Sequence, residues 1–104
     1  MAKQPNGVIR EYYDVEKKRL FEQYFIFNGK MEGEFKRYTW NTHILIKFIR
    51  INNVIDGEYL KYYSDGLLEQ KCNYRNSQLE GIYIYYFGDG QIKIMREYKN
   101  NRPI

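Results

Sequence analysis

Asn76-Ser77-Gln78-Leu79-Glu80-Gly81-Ile82-Tyr83-Ile84-Tyr85-Tyr86-Phe87-Gly88-Asp89-Gly90-Gln91-Ile92 is the stretch whose reading decides the fold. Asn followed by a residue that tolerates positive φ marks a two-residue turn. Gly88-Asp89-Gly90 marks another turn. Between them runs Gly81 to Tyr86, rich in the aliphatic and aromatic side chains that suit a pleated surface. A strand bounded by two turns is one arm of a β-hairpin.

Working outward, the same string recurs. Gly33, Gly57 and Gly81 follow one another at a spacing of 24, each preceded by an acidic residue (Glu32, Asp56, Glu80) and before it an aliphatic one (Met31, Ile55, Leu79). Gly7 opens a fourth copy 26 residues ahead of Gly33, and the two extra residues fall within Asp14 to Arg19. Three further columns hold in all four copies: Tyr12, Tyr38, Tyr62 and Tyr86; Leu20, Ile44, Leu68 and Ile92; and Asn28, Asn52, Asn76 and Asn100. After each Asn comes Gly29, Asn53, Ser77 or Asn101.

These columns predict one all-β repeat domain over residues 1–104. It comprises a leader 1–6 and hairpin units 7–32, 33–56, 57–80 and 81–104. Because a 24-residue hairpin cannot bury its own apolar face, the units must stack side by side. The expected product is a single elongated, curled antiparallel sheet of about eight strands. Leu20, Phe21, Tyr24 and Phe25 also suit helical spacing, and Asp14 could cap such a helix. The repeat alignment instead places them on a second strand. Period-two sorting puts Phe35, Tyr59 and Tyr83 on one face and the Tyr12 column on the other, so neither face is a clean solvent face. Ile44 to Ile51 is apolar on both sides and reads as a covered central strand, whereas Leu68 to Tyr74 reads as an outward-facing one.

Composition agrees with this and limits function. Aromatic residues make up 18% of the 104, twelve of them Tyr, which is too many for a disordered chain. A single Cys, Cys72, excludes an internal disulfide framework, so a reducing, cytoplasmic setting is the default. No stretch approaches 18 consecutive apolar residues, so no transmembrane segment is expected. Seventeen Lys and Arg against thirteen Asp and Glu leave +4, with the acids interspersed through every unit.

With the columns in view, the chain resembles the MORN-repeat class, in particular its variant repeat. That repeat reads Asn-Gly-x-Leu-Glu-Gly-x-Tyr-x-x-Tyr-Tyr-x-x-Gly-x-Leu. The match is fullest over Asn76 to Ile92, close at Asn28 to Phe35, and extends from Gly7 to Ile104. Two tips depart from it by lacking glycine: Asp14-Val15-Glu16-Lys17-Lys18-Arg19 and Trp40-Asn41-Thr42-His43. The resemblance implies an elongated sheet that binds partners without catalysis. Relatives of this kind serve as protein-interaction scaffolds, some are linked to anionic membrane surfaces, and the variant class includes small antitoxin-like and viral proteins.

The residues themselves offer little chemistry. One His excludes multi-His metal sites, and Cys72 has neither a second Cys for zinc nor a nearby His to activate it. The acidic column Glu32, Asp56 and Glu80 recurs at structural spacing and reads as cross-strand pairing or turn support rather than as paired acid–base carboxylates. No cofactor is called for, and the chain is expected not to be an enzyme. Binding is the better expectation, because Tyr offers large area, few rotamers and a polar tip. The column Tyr12, Tyr38, Tyr62 and Tyr86 is one candidate strip. Trp40, His43, Tyr85 and the Lys17-Lys18-Arg19 run are the others, because an unrepeated residue is not demanded by the architecture. The expected partner is another protein, held by a module that occludes or scaffolds it. Nucleic acid or an anionic membrane surface, met by the basic tip and exposed tyrosines, is the alternative. Self-association would run through sheet edges, which Pro5 and Pro103 should discourage because neither can donate a ladder hydrogen bond.

Overall fold

The structure is a computed structural model that describes residues 6–104, so Pro5 lies outside the described residues. It is all-β, with no helix among the described residues. The strands are β1 (Gly7–Tyr12), β2 (Leu20–Phe27), β3 (Lys30–Tyr38), β4 (Ile44–Ile51), β5 (Val54–Tyr62), β6 (Leu68–Arg75), β7 (Gln78–Leu79), β8 (Gly81–Tyr86), β9 (Ile92–Lys99) and β10 (Arg102–Pro103). They form one antiparallel meander in chain order, with β7 beside β6 as a detached start to the β8 strand. The eight expected strands are therefore present, together with the short pieces β7 and β10. The stretch with helical spacing is β2, where pairing with β1 and β3 overrides the local pattern.

The four Asn columns make the turns. Asn28-Gly29, Asn52-Asn53, Asn76-Ser77 and Asn100-Asn101 each hold two successive positive φ values, between 50° and 76°. This is the twist that matches the flanking strands. Each later turn also braces the unit before it. The N–H groups of Asn53, Ser77 and Asn101 donate to the carbonyls of Met31, Ile55 and Leu79 at 2.8–3.0 Å. Glu32 and Glu80 of the acidic column accept from the N–H groups of Asn52 and Asn100, both at 2.9 Å. These two carboxylates are turn supports.

The opposite row of tips closes alike in all four units. The N–H groups of Tyr13, Thr39, Tyr63 and Phe87 donate across the tip to the carbonyls of Arg19, His43, Leu67 and Gln91. Lys17 and Thr42 supply the positive φ (60° and 66°) that Gly66 and Gly90 supply in units three and four. The missing glycines thus leave the hairpins intact, at the cost of local strain. Thr42 is β-branched, and such a residue in the left-handed region carries about 1–2 kcal/mol. Thr42→Gly is expected to raise stability by about 0.5–1 kcal/mol, the relief being partly offset by the freer unfolded chain. A rise in the urea midpoint checks this, and a fall would assign Thr42 a stabilising contact that outweighs its strain.

Beside the tips, the two sequence columns meet. Tyr12 faces Leu20, Tyr38 faces Ile44, Tyr62 faces Leu68 and Tyr86 faces Ile92, each pair immediately after a one-residue register shift. Such a bulge increases local twist, and one in each unit curls the sheet.

The molecule measures 46 × 31 × 14 Å, and 14 Å is the thickness of one sheet with its side chains. Pairing register and alternation place all four buried apolar residues (Ile26, Phe35, Phe48 and Cys72) on one face, called here the ladder face. The other, open face carries exposed Val8, Phe25, Ile49, Ile82 and Met95. Two sequence expectations are corrected here. β4 is not covered on both sides, because its Ile49 and Ile51 are exposed. β6 is outward on one face only, as β4 is: Lys71, Asn73 and Arg75 are exposed while Cys72 on the other face is buried. Among the described residues there is one sheet, and in a single layer no second sheet covers an apolar strand.

Candidate functional site

The ladder face is built from ring stacking. Tyr24, Phe35, Phe48 and Tyr59 stand parallel with centroids 6.2, 4.6 and 5.6 Å apart, and Tyr74 meets Tyr59 edge-on at 5.8 Å. Neighbouring strands are spaced closely enough for such rings to touch across the sheet. Cations fill the gaps: Arg37 lies over Phe21 and Phe35, and Arg50 over Phe35 and Phe48, at 5.0–5.7 Å. Glu22 accepts from Arg37 at 2.6–2.8 Å. Phe35 and Phe48 each have a stacked ring on either side, which leaves these two no free π-face for a nucleobase.

Cys72 sits within this ladder at 1% exposure. Burial pushes its thiol up, against a smaller opposing effect of the Gln70 amide. A raised thiol is a poor nucleophile, so Cys72 is packing. Burial likewise raises Tyr59, Tyr74 and Tyr83. Tyr85 differs, because its hydroxyl donates to Glu69 at 2.7 Å, and this bond, with a smaller effect of burial, lifts it to about 12. Lys93 lies 5.7 Å from the Tyr85 ring centre.

At the tip edge, units one and two come together. Arg19 lays its guanidinium over the Trp40 ring at 4.5 Å and donates to the Trp40 carbonyl at 2.9 Å. Tyr13 meets Trp40 edge-on at 5.4 Å and Phe21 at 4.9 Å. Its hydroxyl donates to the Tyr38 carbonyl at 2.7 Å, strapping the first unit to the second. The first tip is shaped by Asp14, whose carboxylate accepts from the N–H groups of Lys18 and Arg19 at 3.0–3.4 Å. Burial works against the charge on Asp14, but the Arg19 and Lys18 N–H groups outweigh it and hold the carboxyl below its usual range.

The candidates named from sequence therefore divide. Arg19 and Trp40 are brought into contact, with Lys17 and Lys18 exposed on the same tip and exposed His43 on the neighbouring one. Tyr85 lies on the ladder face, several strands away. Tyr12, Tyr38, Tyr62 and Tyr86 are half-buried beside their Leu and Ile partners, and alternation puts them on the open face. Sequence reasoning missed Tyr13 and Phe21 as members of the tip cluster. The signal for them was adjacency of the two tips that lack glycine. Among the described residues, no three of His, Cys, Asp and Glu converge as metal ligands, and no helix is long and apolar enough to cross a membrane. Compared with known proteins, the chain matches no protein-family model, no curated protein and no solved structure.

Proposed function

We propose that the chain is a non-enzymatic protein-binding module of the variant MORN-repeat kind, acting as an inhibitor or antitoxin does, by occluding or scaffolding a partner protein. The observation that carries this is the single-layer sheet with exposed Val8, Phe25, Ile49, Ile82 and Met95 on its open face. Apolar side chains gathered on one surface are the usual mark of a protein contact. Carboxylates stand among the lysines of that face: Glu34 lies 3.0 Å from Lys36 and 3.4 Å from Lys47, and Glu58 lies 3.8 Å from Lys71. Carboxylates interspersed among the cations in this way suit a protein better than a polyanion. Binding needs no chemistry, only a preformed shape.

The test is affinity capture on the immobilised full chain at about 50 mM and 300 mM salt. Contacts to phosphates weaken by orders of magnitude over such a range. One protein retained at both salts, and released when Ile49 and Ile82 are replaced by Lys, supports the reading. Retention of only nucleic acid or lipid, lost at the higher salt, overturns it in favour of the charged-ligand alternative.

A further inference from the structure

We propose that the adjoining tips of units one and two form a docking site for an acidic segment of a partner protein, with Trp40 and Arg19 at its centre. This rests on the protein-binding reading above and adds where the partner is gripped and by what chemistry. The two tips are the places where the repeat gives up glycine and holds Lys17 and Thr42 in the left-handed region. Closure of the hairpin does not require those residues, since Gly66 and Gly90 make the same bonds in units three and four. Strain that the fold does not need is a pointer to function.

What stands at these tips has the composition of a binding hot spot, in which Trp, Tyr and Arg dominate. Trp40 is 51% exposed although Arg19 covers part of its ring, and Val15 of the first tip is 94% exposed. Arg19 is held by the Trp40 carbonyl and ring, so its guanidinium is positioned before any partner arrives. Among the described residues the side-chain charges of Lys17, Lys18 and Arg19 make no ion pair within 4.0 Å. Asp14 is engaged by the backbone of its own tip, which leaves Glu16 as the one tip carboxylate without a backbone bond. A carboxylate arriving from a partner would complete the cluster, and an apolar neighbour would cover Val15.

The tip row also argues against a nucleic-acid strand. A phosphate backbone running along it would find Lys and Arg at the first tip alone and none at the second, and would then meet Asp65 and Asp89, which shape the tips of units three and four by accepting from the N–H groups of Leu67 and Gln91. Cations confined to the first tip, next to an exposed Trp40 on the second, fit a short acidic segment.

The test uses the full chain and a fluorescein-labelled twelve-residue peptide alternating Glu with Leu. Its controls are the same peptide with Gln for Glu and a twelve-nucleotide oligothymidylate. Trp40 is the chain's sole tryptophan, so its emission reports the site. The Glu peptide is expected to bind at least tenfold more tightly than the Gln peptide and to shift Trp40 emission. Arg19→Gln should weaken it at least fivefold. So should the double variant Lys17→Gln and Lys18→Gln, whose exposed side chains leave the fold untouched. Equal binding of the two peptides, tighter binding of the oligonucleotide, or full binding by both variants overturns the proposal. Capture of the same protein partner by wild type and by both variants would sink the tip site while leaving the protein-binding reading in place. Failure to capture any protein would instead remove that reading.

Discussion

Replacing Phe48 by alanine is expected to cost about 3–5 kcal/mol, the range for deleting a buried aromatic side chain. Phe48 is 6% exposed at the middle of the ladder, between Phe35 at 4.6 Å and Tyr59 at 5.6 Å, with Arg50 above it. Its removal breaks two stacked pairs and one cation–π contact and leaves a gap that single-layer neighbours can only partly close. A small domain holds about 5–15 kcal/mol in total, and this one buries few side chains fully, so much of the population should unfold. The paired control is Ile49→Ala, one residue along the same strand but on the open face and 41% exposed. It should cost less than about 1 kcal/mol, as exposed positions usually do. Urea unfolding of both variants gives the comparison. Equal losses would mean that the open face is covered in solution by another copy, which concentration dependence of the midpoint would then reveal.

That asymmetry was only half legible in the sequence. The Asn turns, the glycine spacing and the Tyr and Leu/Ile columns are local features, and each is demanded by backbone geometry in every unit, so repetition exposed them. Which face holds the core depends on how strands pair across units. Bulges after Glu11, Arg37, Lys61 and Tyr85 shift the register in a way that period-two sorting along one strand does not count. The ladder Tyr24–Phe35–Phe48–Tyr59 crosses four strands and two unit boundaries. No pattern within one unit shows it.

The candidate site divides along the same line. Trp40, His43 and Lys17 to Arg19 were legible because they break a repeat, and a break is visible wherever the rest is regular. That Arg19 stacks on Trp40 was not, since 21 residues separate them and only the side-by-side stacking of units makes the tips neighbours. Tyr85 shows the reverse failure. It is unrepeated, yet its hydroxyl is taken up by Glu69 across the sheet. A residue without a counterpart in other units can still serve local packing.

Gly33→Val is expected to cost about 2–3 kcal/mol, the range for one strongly disfavoured backbone conformation. Gly33 holds φ +79° within β3, as Gly57 and Gly81 hold +106° and +83° at the equivalent places. A Cβ built at Gly33 meets nothing within 4 Å, so crowding is not the reason for glycine there. Conformation is. Replacing Gly33 by Asn, Ala and Val in turn separates the two causes. If positive φ decides, Asn should be tolerated best, Ala less and Val least, because Asn enters the left-handed region most readily and a β-branched residue least. If space decided, Ala, the smallest, would be tolerated best. The strand must bend here because three residues of β3, Gly33 to Phe35, pass the single residue Tyr24 of β2. Removing the bend would slip the register between units one and two and separate Tyr24 from Phe35. The ladder depends on a glycine that contributes nothing to it but its backbone, so Gly33→Val should also lose near-ultraviolet circular dichroism from the stacked rings. A variant that loses stability but keeps that signal would place the strain outside the ladder.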